Sequence, residues 1–195
     1  MKIINFKEKI LCQSQTQYDA LHSLALEFEP YNKLWDLVLD FDIDKQDWNK
    51  GPFLKLNYSS IEKKMEFFIK ELIILQKIFL ERKEDFPVKV TKMLKDDIEK
   101  FRGKLWLIDY LTNEAVLKKP AVWRDIFREC ELTYMEPNNE MTLMSLIDHG
   151  LGGFKEKIEE ITKRVEKQWN FEKKLNEIQE KVKGTKLEVW IFKEF

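Results

Sequence analysis

Apolar positions recur along this chain mostly at helical spacing, and the clearest run lies between residues 98 and 130. Ile98, Phe101, Leu105, Ile108 and Leu111 follow one another at steps of 3, 4, 3 and 3, tracing one face of a helix. Asn113 breaks the pattern. Pro120, whose fixed φ and missing N–H suit a first turn, predicts the start of a second helix. That helix offers Val122, Trp123, Ile126 and Phe127 as one apolar stripe. The spacing predicts a long helix, a short elbow, and a helix anchored by a tryptophan: a mechanical joint rather than a catalytic centre.

Upstream, residues 1–39 read as helical in the main, with Tyr18, Leu21, Leu24 and Phe28 on one face. Pro30 either ends one helix, letting Tyr31, Leu34, Trp35 and Val38 begin another, or kinks a single helix. Between residues 40 and 57 the periodicity fails, predicting a solvated acidic connector pinned back by Trp48, Pro52 and Phe53. Its Asp40, Asp42 and Asp44 resemble the opening of a calcium loop, where alternating carboxylates converge on one cation. Lys45 stands where that loop needs glycine and Gly51 where it needs a bidentate glutamate, so no metal is expected. Ser59 and Glu62 have capping-box spacing and predict a helix over 61–80. Met65, Phe68, Ile69, Leu72, Leu75 and Phe79 line one side of it, and Phe67, Ile73, Ile74 and Ile78 flank them. A helix apolar over so much of its circumference is sandwiched between neighbours or covered by a partner.

Pro87 can sit in the first turn of the next helix, which continues through Val90 and Leu94 into the run at 98. At 1.5 Å per residue the predicted rod is about 38 Å long, weakened at Gly103 by about 1 kcal/mol relative to alanine. Residues 131–141 form a polar loop. Thr142 caps a short helix closed by Gly150, with His149 meeting its dipole, and Gly152 and Gly153 turn the chain. Residues 154–183 predict a last helix with Phe154, Ile158, Ile161, Val165, Trp169, Leu175, Ile178 and Val182 on its stripe, stopped by Gly184. Beyond it Leu187, Val189 and Ile191 alternate with Glu188, Trp190 and Phe192, predicting one β-strand. A lone strand cannot satisfy its own ladder, so the chain is expected to be a fragment whose partner strand lies elsewhere. The fold expected is all-α: an elongated array of packed helices with one terminal strand.

Composition narrows the function classes. The chain has 195 residues, 44% of them hydrophobic, which suits a folded protein. Charged residues reach 35%, yet Lys+Arg 34 nearly cancels Asp+Glu 35, which suits solvated helix faces and not a surface that must neutralise phosphates. Cys12 and Cys130 are isolated, as reduced thiols would be. His22 has no cysteine or histidine near it in sequence. No apolar run approaches the roughly 18–20 residues of a membrane span, and the N-terminus lacks a signal-peptide core, so a soluble intracellular protein is expected. There is no GxxxxGK[ST] phosphate loop, and neither histidine has a nucleophile at catalytic spacing. Aromatics interleave with lysines but fall on the apolar stripes, as core does, and form no base-stacking platform.

Together these landmarks resemble the N-terminal part of the linker of dynein heavy chains. The first carriers of the resemblance are residues 31–35 ending in Trp35, then Trp48, the Gly51-Pro52-Phe53 turn, Leu56, and the helix start at Ile61-Glu62. The second is the run from Ile98 and Phe101 to Leu111, Asn113 and Leu117, then Trp123 and Ile126. The third is Met141-Thr142-Leu143 with Leu146, then Ile158 to Ile161 and the helix holding Phe171, Glu172, Leu175 and Ile178. The likeness covers about residues 25–195. Glu114 stands where the family usually has proline, Pro120-Ala121 replaces an Arg-His pair before Trp123, and Val182 replaces a closing tryptophan. The segment around Trp48 and Gly51-Pro52-Phe53 is more similar to axonemal than to cytoplasmic dyneins.

The resemblance implies a force-transmitting arm. Residues 1–30 would lead in from the tail, 31–185 would be the helical linker segment, and 186–195 would begin a truncated β-hairpin. Such an arm bends and straightens over a ring of AAA+ modules to give the power stroke. It would bind no cofactor itself, since ATP and Mg belong to the downstream ring. Its partners would be the ring and tail of the same heavy chain, with microtubules met only indirectly and neither nucleic acid nor membrane involved. The location implied is the cytoskeleton of the cytoplasm, in a cilium or flagellum axoneme. The residues alone leave two other classes open: a generic helical scaffold or tether binding a partner through the helix at 61–80, and a small all-α enzyme.

Overall fold

The computed structural model describes residues 2–12 and 19–184; Tyr18 and the strand expected over 187–192 lie outside the described residues. The regular elements among the described residues are helices: α1 (Lys2–Ile10), α2 (Asp19–Lys50), α3 (Tyr58–Glu81), α4 (Asp85–Arg102), α5 (Leu105–Leu111), α6 (Glu114–Leu117), α7 (Pro120–Glu129), α8 (Leu143–Asp148) and α9 (Lys155–Gly184), with 3-10 turns at Phe53–Lys55 and Leu151–Gly153. This is the packed helical array that the periodicity predicts. The chain divides into two compact units, Met1–Gln46 with Glu62–Arg102, and Asp47–Ile61 with Gly103–Phe195.

The first unit is built on the apolar seams of three helices. Leu34, Leu37 and Phe41 from α2 are buried, as are Met65, Phe68, Leu72, Leu75 and Phe79 from α3 and Val88, Leu94, Ile98 and Phe101 from α4. Burying each such side chain contributes about 1.5–3 kcal/mol before the entropy of ordering is charged against it. Phe41 meets Phe68 edge-on at 5.7 Å, and the Tyr31 ring lies 5.2 Å from Phe79. Polar contacts fix the same pairing of α2 with α3: Lys64 binds Asp44 at 2.7 Å, and Arg82 donates to the Glu27 carbonyl at 2.9 Å. The α3–α4 turn puts Lys83 in the left-handed region at φ 59, where the Glu84 N–H reaches the Phe79 carbonyl at 3.0 Å and closes the helix end. The Tyr31 hydroxyl donates to the Glu84 carboxylate across this turn, and that bond holds the phenol pKa above its usual value.

Three expectations are corrected by the structure. Helix α2 runs unbroken through Pro30 and on to Lys50, so the acidic connector expected over 40–57 shrinks to residues 51–57. The reason is that Leu34, Leu37 and Phe41 keep helical spacing while the intervening carboxylates face solvent; Asp42 accepts from Gln46 at 2.9 Å. Asp40, Asp42 and Asp44 therefore stand at every second position of a helix and do not converge in a loop. Second, α3 begins a turn early, at Tyr58, because the Asn57 side chain accepts the Ser60 N–H at 2.9 Å and takes the capping place expected of Ser59. Third, the rod expected through Gly103 is two helices, α4 and α5, parted at Gly103-Lys104. Leu21, Leu24 and Phe28 fall at helical spacing on α2 as expected, and each is exposed.

Candidate functional site

The elbow and its supports belong to the second unit. Leu105, Leu107, Ile108 and Leu111 bury the inner face of α5. The helix ends where the Thr112 hydroxyl turns back and donates to the Ile108 carbonyl at 2.7 Å. Asn113 then takes extended geometry (φ −59, ψ 134), and its side-chain oxygen accepts the Ala115 N–H at 2.9 Å, starting the single turn of α6. Ala115 and Val116 are buried in that turn, whereas Leu117 is 38% exposed. Lys119 is extended before Pro120, as a residue preceding proline must be, and Pro120 opens α7 in its first turn. The elbow and the second helix thus follow as the spacing predicts, whereas the helix before the elbow is the seven-residue α5 and not the long one expected.

Helix α7 is fastened by an aromatic lock. Val122, Trp123, Ile126 and Phe127 are buried, and the Trp123 indole N–H donates to the Met135 carbonyl at 2.8 Å. Trp123 and Phe127 lie 5.8 Å apart, and Phe127 is met edge-on by Tyr134 at 5.9 Å and His149 at 5.8 Å. His149 places its Nε2 2.6 Å from the Thr133 carbonyl, so its ring ties α8 to the loop; the role expected of it was with the helix dipole. Helix α8 starts on the expected Thr142 cap, completed by Ser145, and Gly150 ends it at φ 103. Burial also raises the Cys130 thiol pKa at the end of α7.

The stretch at 47–61 braces this assembly. Trp48 and Phe53 are buried, and the Phe53 N–H donates to the Met141 carbonyl at 2.7 Å. Gly51 donates to the Asp47 carbonyl at 2.7 Å, so close that a Cβ there would sit 2.4 Å from that oxygen. Only glycine fits without a shift. Pro52 is exposed, and its carbonyl accepts the Lys55 N–H at 3.0 Å. Trp35 belongs to the first unit and is 52% exposed.

Helix α9 packs on α5, α6 and α7 through Ile158, Ile161, Thr162 and Val165, all buried. Its packing ends in a clasp that the sequence did not suggest. Lys119 binds Glu172 at 2.7 Å, and both Lys118 and Lys119 lie over the Trp169 ring at 5.6 Å. Lys118 also bonds Glu114, and each lysine holds its carboxylate partner below the usual pKa range. The one available signal was a lysine pair next to Pro120, with the stripe drifting just past Trp169. Beyond the clasp, Phe171, Leu175, Ile178 and Val182 are 46–68% exposed.

Apart from the buried Cys130, the shifted groups named above are the ends of structural contacts, and among the described residues no three His, Cys, Asp or Glu side chains converge as a metal site would require. What the arrangement can do is hold an angle: an elbow with a buried hydrocarbon interior, locked on one side by aromatics and clasped on the other by charge.

Comparison with known proteins gives this joint a context. Human dynein axonemal heavy chain 3 (Homo sapiens) is 25% identical over 175 residues, covering 90% of this chain and 4% of that protein. Human dynein axonemal heavy chain 12 is 26% identical over 177 residues, covering 90% of this chain and 6% of its own length. The mouse (Mus musculus) dynein axonemal heavy chain 3 is 23% identical over 177 residues, covering 91% and 4%. The chain therefore spans only a few per cent of the relatives it matches. The sequence profile described as "Dynein heavy chain, N-terminal region 2" matches residues 21–194, nearly the whole chain, so this protein belongs to the dynein heavy chain N-terminal region 2 family.

Proposed function

We propose that the chain is a force-transmitting segment of a dynein linker, non-catalytic in itself, whose angle changes over an AAA+ ring drive the power stroke of an axonemal heavy chain. The observation that carries the reading is the elbow: Leu111, Val116, Trp123, Ile126 and Phe127 are each at most 1% exposed, so the joint cannot flex without opening a packed interior. A lever needs that stiffness, and it needs discrete arrangements biased by an engine elsewhere. The ATP sites would then lie in the ring, and the ring and tail of the same heavy chain would be the immediate partners. Family membership and the axonemal names of the relatives support the location in a cilium or flagellum.

The test is a heavy chain carrying Lys119→Glu, which repels Glu172 and leaves the buried lock alone. Microtubule gliding is expected to slow while ATP turnover in the presence of microtubules is retained, the signature of lost coupling. Gliding at full speed in a folded variant would overturn the proposal, as would ATP turnover lost in step with speed.

A further inference from the structure

Helix α1 turns its apolar side outward. Ile3, Phe6 and Ile10 follow one another at steps of 3 and 4 on one helix face, and they are 73%, 64% and 64% exposed. Asn5 and Glu8, on the far side of the same helix, are half-buried, and the Asn5 side-chain oxygen is buried without a hydrogen-bond partner. Burial energetics favour the reverse arrangement, since apolar area gains by leaving water and an unpaired buried amide oxygen loses. Within the same compact unit, one face of α2 is also uncovered: Leu24 and Phe28 are exposed, and with the half-buried Tyr31 they line an open concavity whose polar wall is Glu27, Arg82 and Glu84.

The two faces match in register. Taken antiparallel, Ile10, Phe6 and Ile3 step by 4 and then 3, and so do Leu24, Phe28 and Tyr31. Three layers therefore meet, Ile10 on Leu24, Phe6 on Phe28 and Ile3 on Tyr31, as in an antiparallel helix pair. We propose that α1 folds back antiparallel onto α2 and caps this face, an intramolecular cover that any other partner of Leu24 and Phe28 must displace. Residues 11–18 join the two helices and, at about 3.3 Å each, reach about 26 Å, well beyond the roughly 10 Å between packed helix axes. Charge favours the same occupant. Residues 19–30 carry Asp19, Glu27 and Glu29 with no lysine or arginine, whereas α1 carries Lys2, Lys7 and Lys9 against Glu8. In the antiparallel pairing Lys9 lies on the edge facing Glu27, and among the described residues neither is in an ion pair. Arg82 stands on that edge too, but it is spent on the Glu27 carbonyl and has Glu84 beside it. The α2 of a second copy laid on this face would set carboxylates against carboxylates. The inference rests on these two helices and stands apart from the linker reading.

The experiment is disulfide trapping in the 195-residue chain with the exposed Cys12→Ser as background. One pair, Lys9→Cys with Glu27→Cys, joins the two facing edges; a control pair, Glu8→Cys with Glu27→Cys, shifts one partner by a single residue to the far side of α1. The tether makes both pairs equally able to meet by diffusion, so only a preferred seat separates them. Under copper–phenanthroline oxidation the Lys9 pair is expected to close into a monomeric disulfide about tenfold faster than the control, the least that burying one aromatic side chain provides. Phe6→Asp should bring the Lys9 pair down to the control rate, and Ile10→Asp should do the same. Both positions are exposed in this structure, so the fold survives either change, which circular dichroism checks. Equal rates for the two pairs, or a Lys9–Glu27 rate that neither aspartate moves, overturns the proposal. A disulfide-linked dimer as the main product also overturns it, by giving the face to a second copy.

Discussion

Replacing Trp123 with alanine should remove the keystone of the elbow. The ring is 1% exposed, stacks at an angle on Phe127 at 5.8 Å, and donates its N–H to the Met135 carbonyl at 2.8 Å. Truncating a fully buried tryptophan to alanine costs about 3–5 kcal/mol, most of it transfer energy plus an uncollapsed cavity. The hydrogen bond accounts for about 1 kcal/mol of this, because the Met135 carbonyl is only partly buried and can turn to water. With a urea m-value of about 2 kcal/mol/M, the midpoint for the second unit should fall by about 1.5–2.5 M at unchanged slope, followed by near-UV circular dichroism of the aromatic cluster. Trp123→Phe restores most of the volume without the donor and should recover more than half of the loss. A loss below about 1 kcal/mol for Trp123→Ala would refute the reasoning, since a ring that matters so little is not holding α7 to the loop at 131–141.

Three further outcomes follow from other contacts. Lys119→Ala opens the clasp on Glu172 and Trp169; with side chains 25% and 43% exposed the pair is screened by water and weak, so amide exchange should quicken in the second half of α9 while residues 155–165 stay protected. The wild-type protein should show the same loosening as salt is raised, because partly exposed charges are screened. Gly51→Ala drives a Cβ to 2.4 Å from the Asp47 carbonyl and should destabilise the protein by about 1–3 kcal/mol in thermal or urea unfolding, whereas Gly153→Ala, with open space around it, should lie within about 0.5 kcal/mol of wild type. A thiol reagent should label the exposed Cys12 in the native protein and reach the buried Cys130, whose pKa burial raises, only on unfolding; prompt labelling of both would contradict the packing of α7.

Much of the elbow was legible because its information is local. Asn113 and Pro120 punctuate the chain by chemistry that needs no neighbour, and the stripe at 122–127 announces which face turns inward. The break at Gly103 was not legible for a physical reason: Lys104 keeps near-helical angles (φ −100, ψ −13), so the apolar rhythm runs on across the turn as though the helix continued. Helix α2 failed in the opposite sense. The alternating carboxylates from Asp40 onward have the spacing of a loop, though Phe41 and Trp48 lie two turns apart and are both buried. What no pattern could supply were the distant acceptors: Met135 for Trp123, Thr133 for His149, and Met141 for the Phe53 N–H. Each depends on a backbone carbonyl, which has no signature in the side-chain sequence. The row of exposed Phe171, Leu175, Ile178 and Val182 marks the same limit, since spacing shows that a face is apolar and not whether anything covers it.

The two sides of the elbow are held by contacts of different strength, and the difference bears on how the joint behaves under load. The aromatic lock buries Trp123 and Phe127 and costs several kcal/mol to open, so it yields only with local unfolding. The clasp on α9 is a partly exposed ion pair with two lysines over one ring, much weaker than the buried lock, and it can break and re-form in water. Of two contacts in series, the weaker opens first. Strain applied along α9 should therefore part Lys119 from Glu172 and free the helix beyond Trp169 while α7 keeps its seat against residues 131–141. Reinforcing the clasp, for instance by Lys119→Arg with its bidentate fork toward Glu172, should move the first yielding event deeper into the buried stripe at Val165. Pulling the chain by α9 in an optical trap would distinguish the two: a small early extension at low force that the Arg variant abolishes fits this order of events, and a single cooperative rupture in both proteins excludes it.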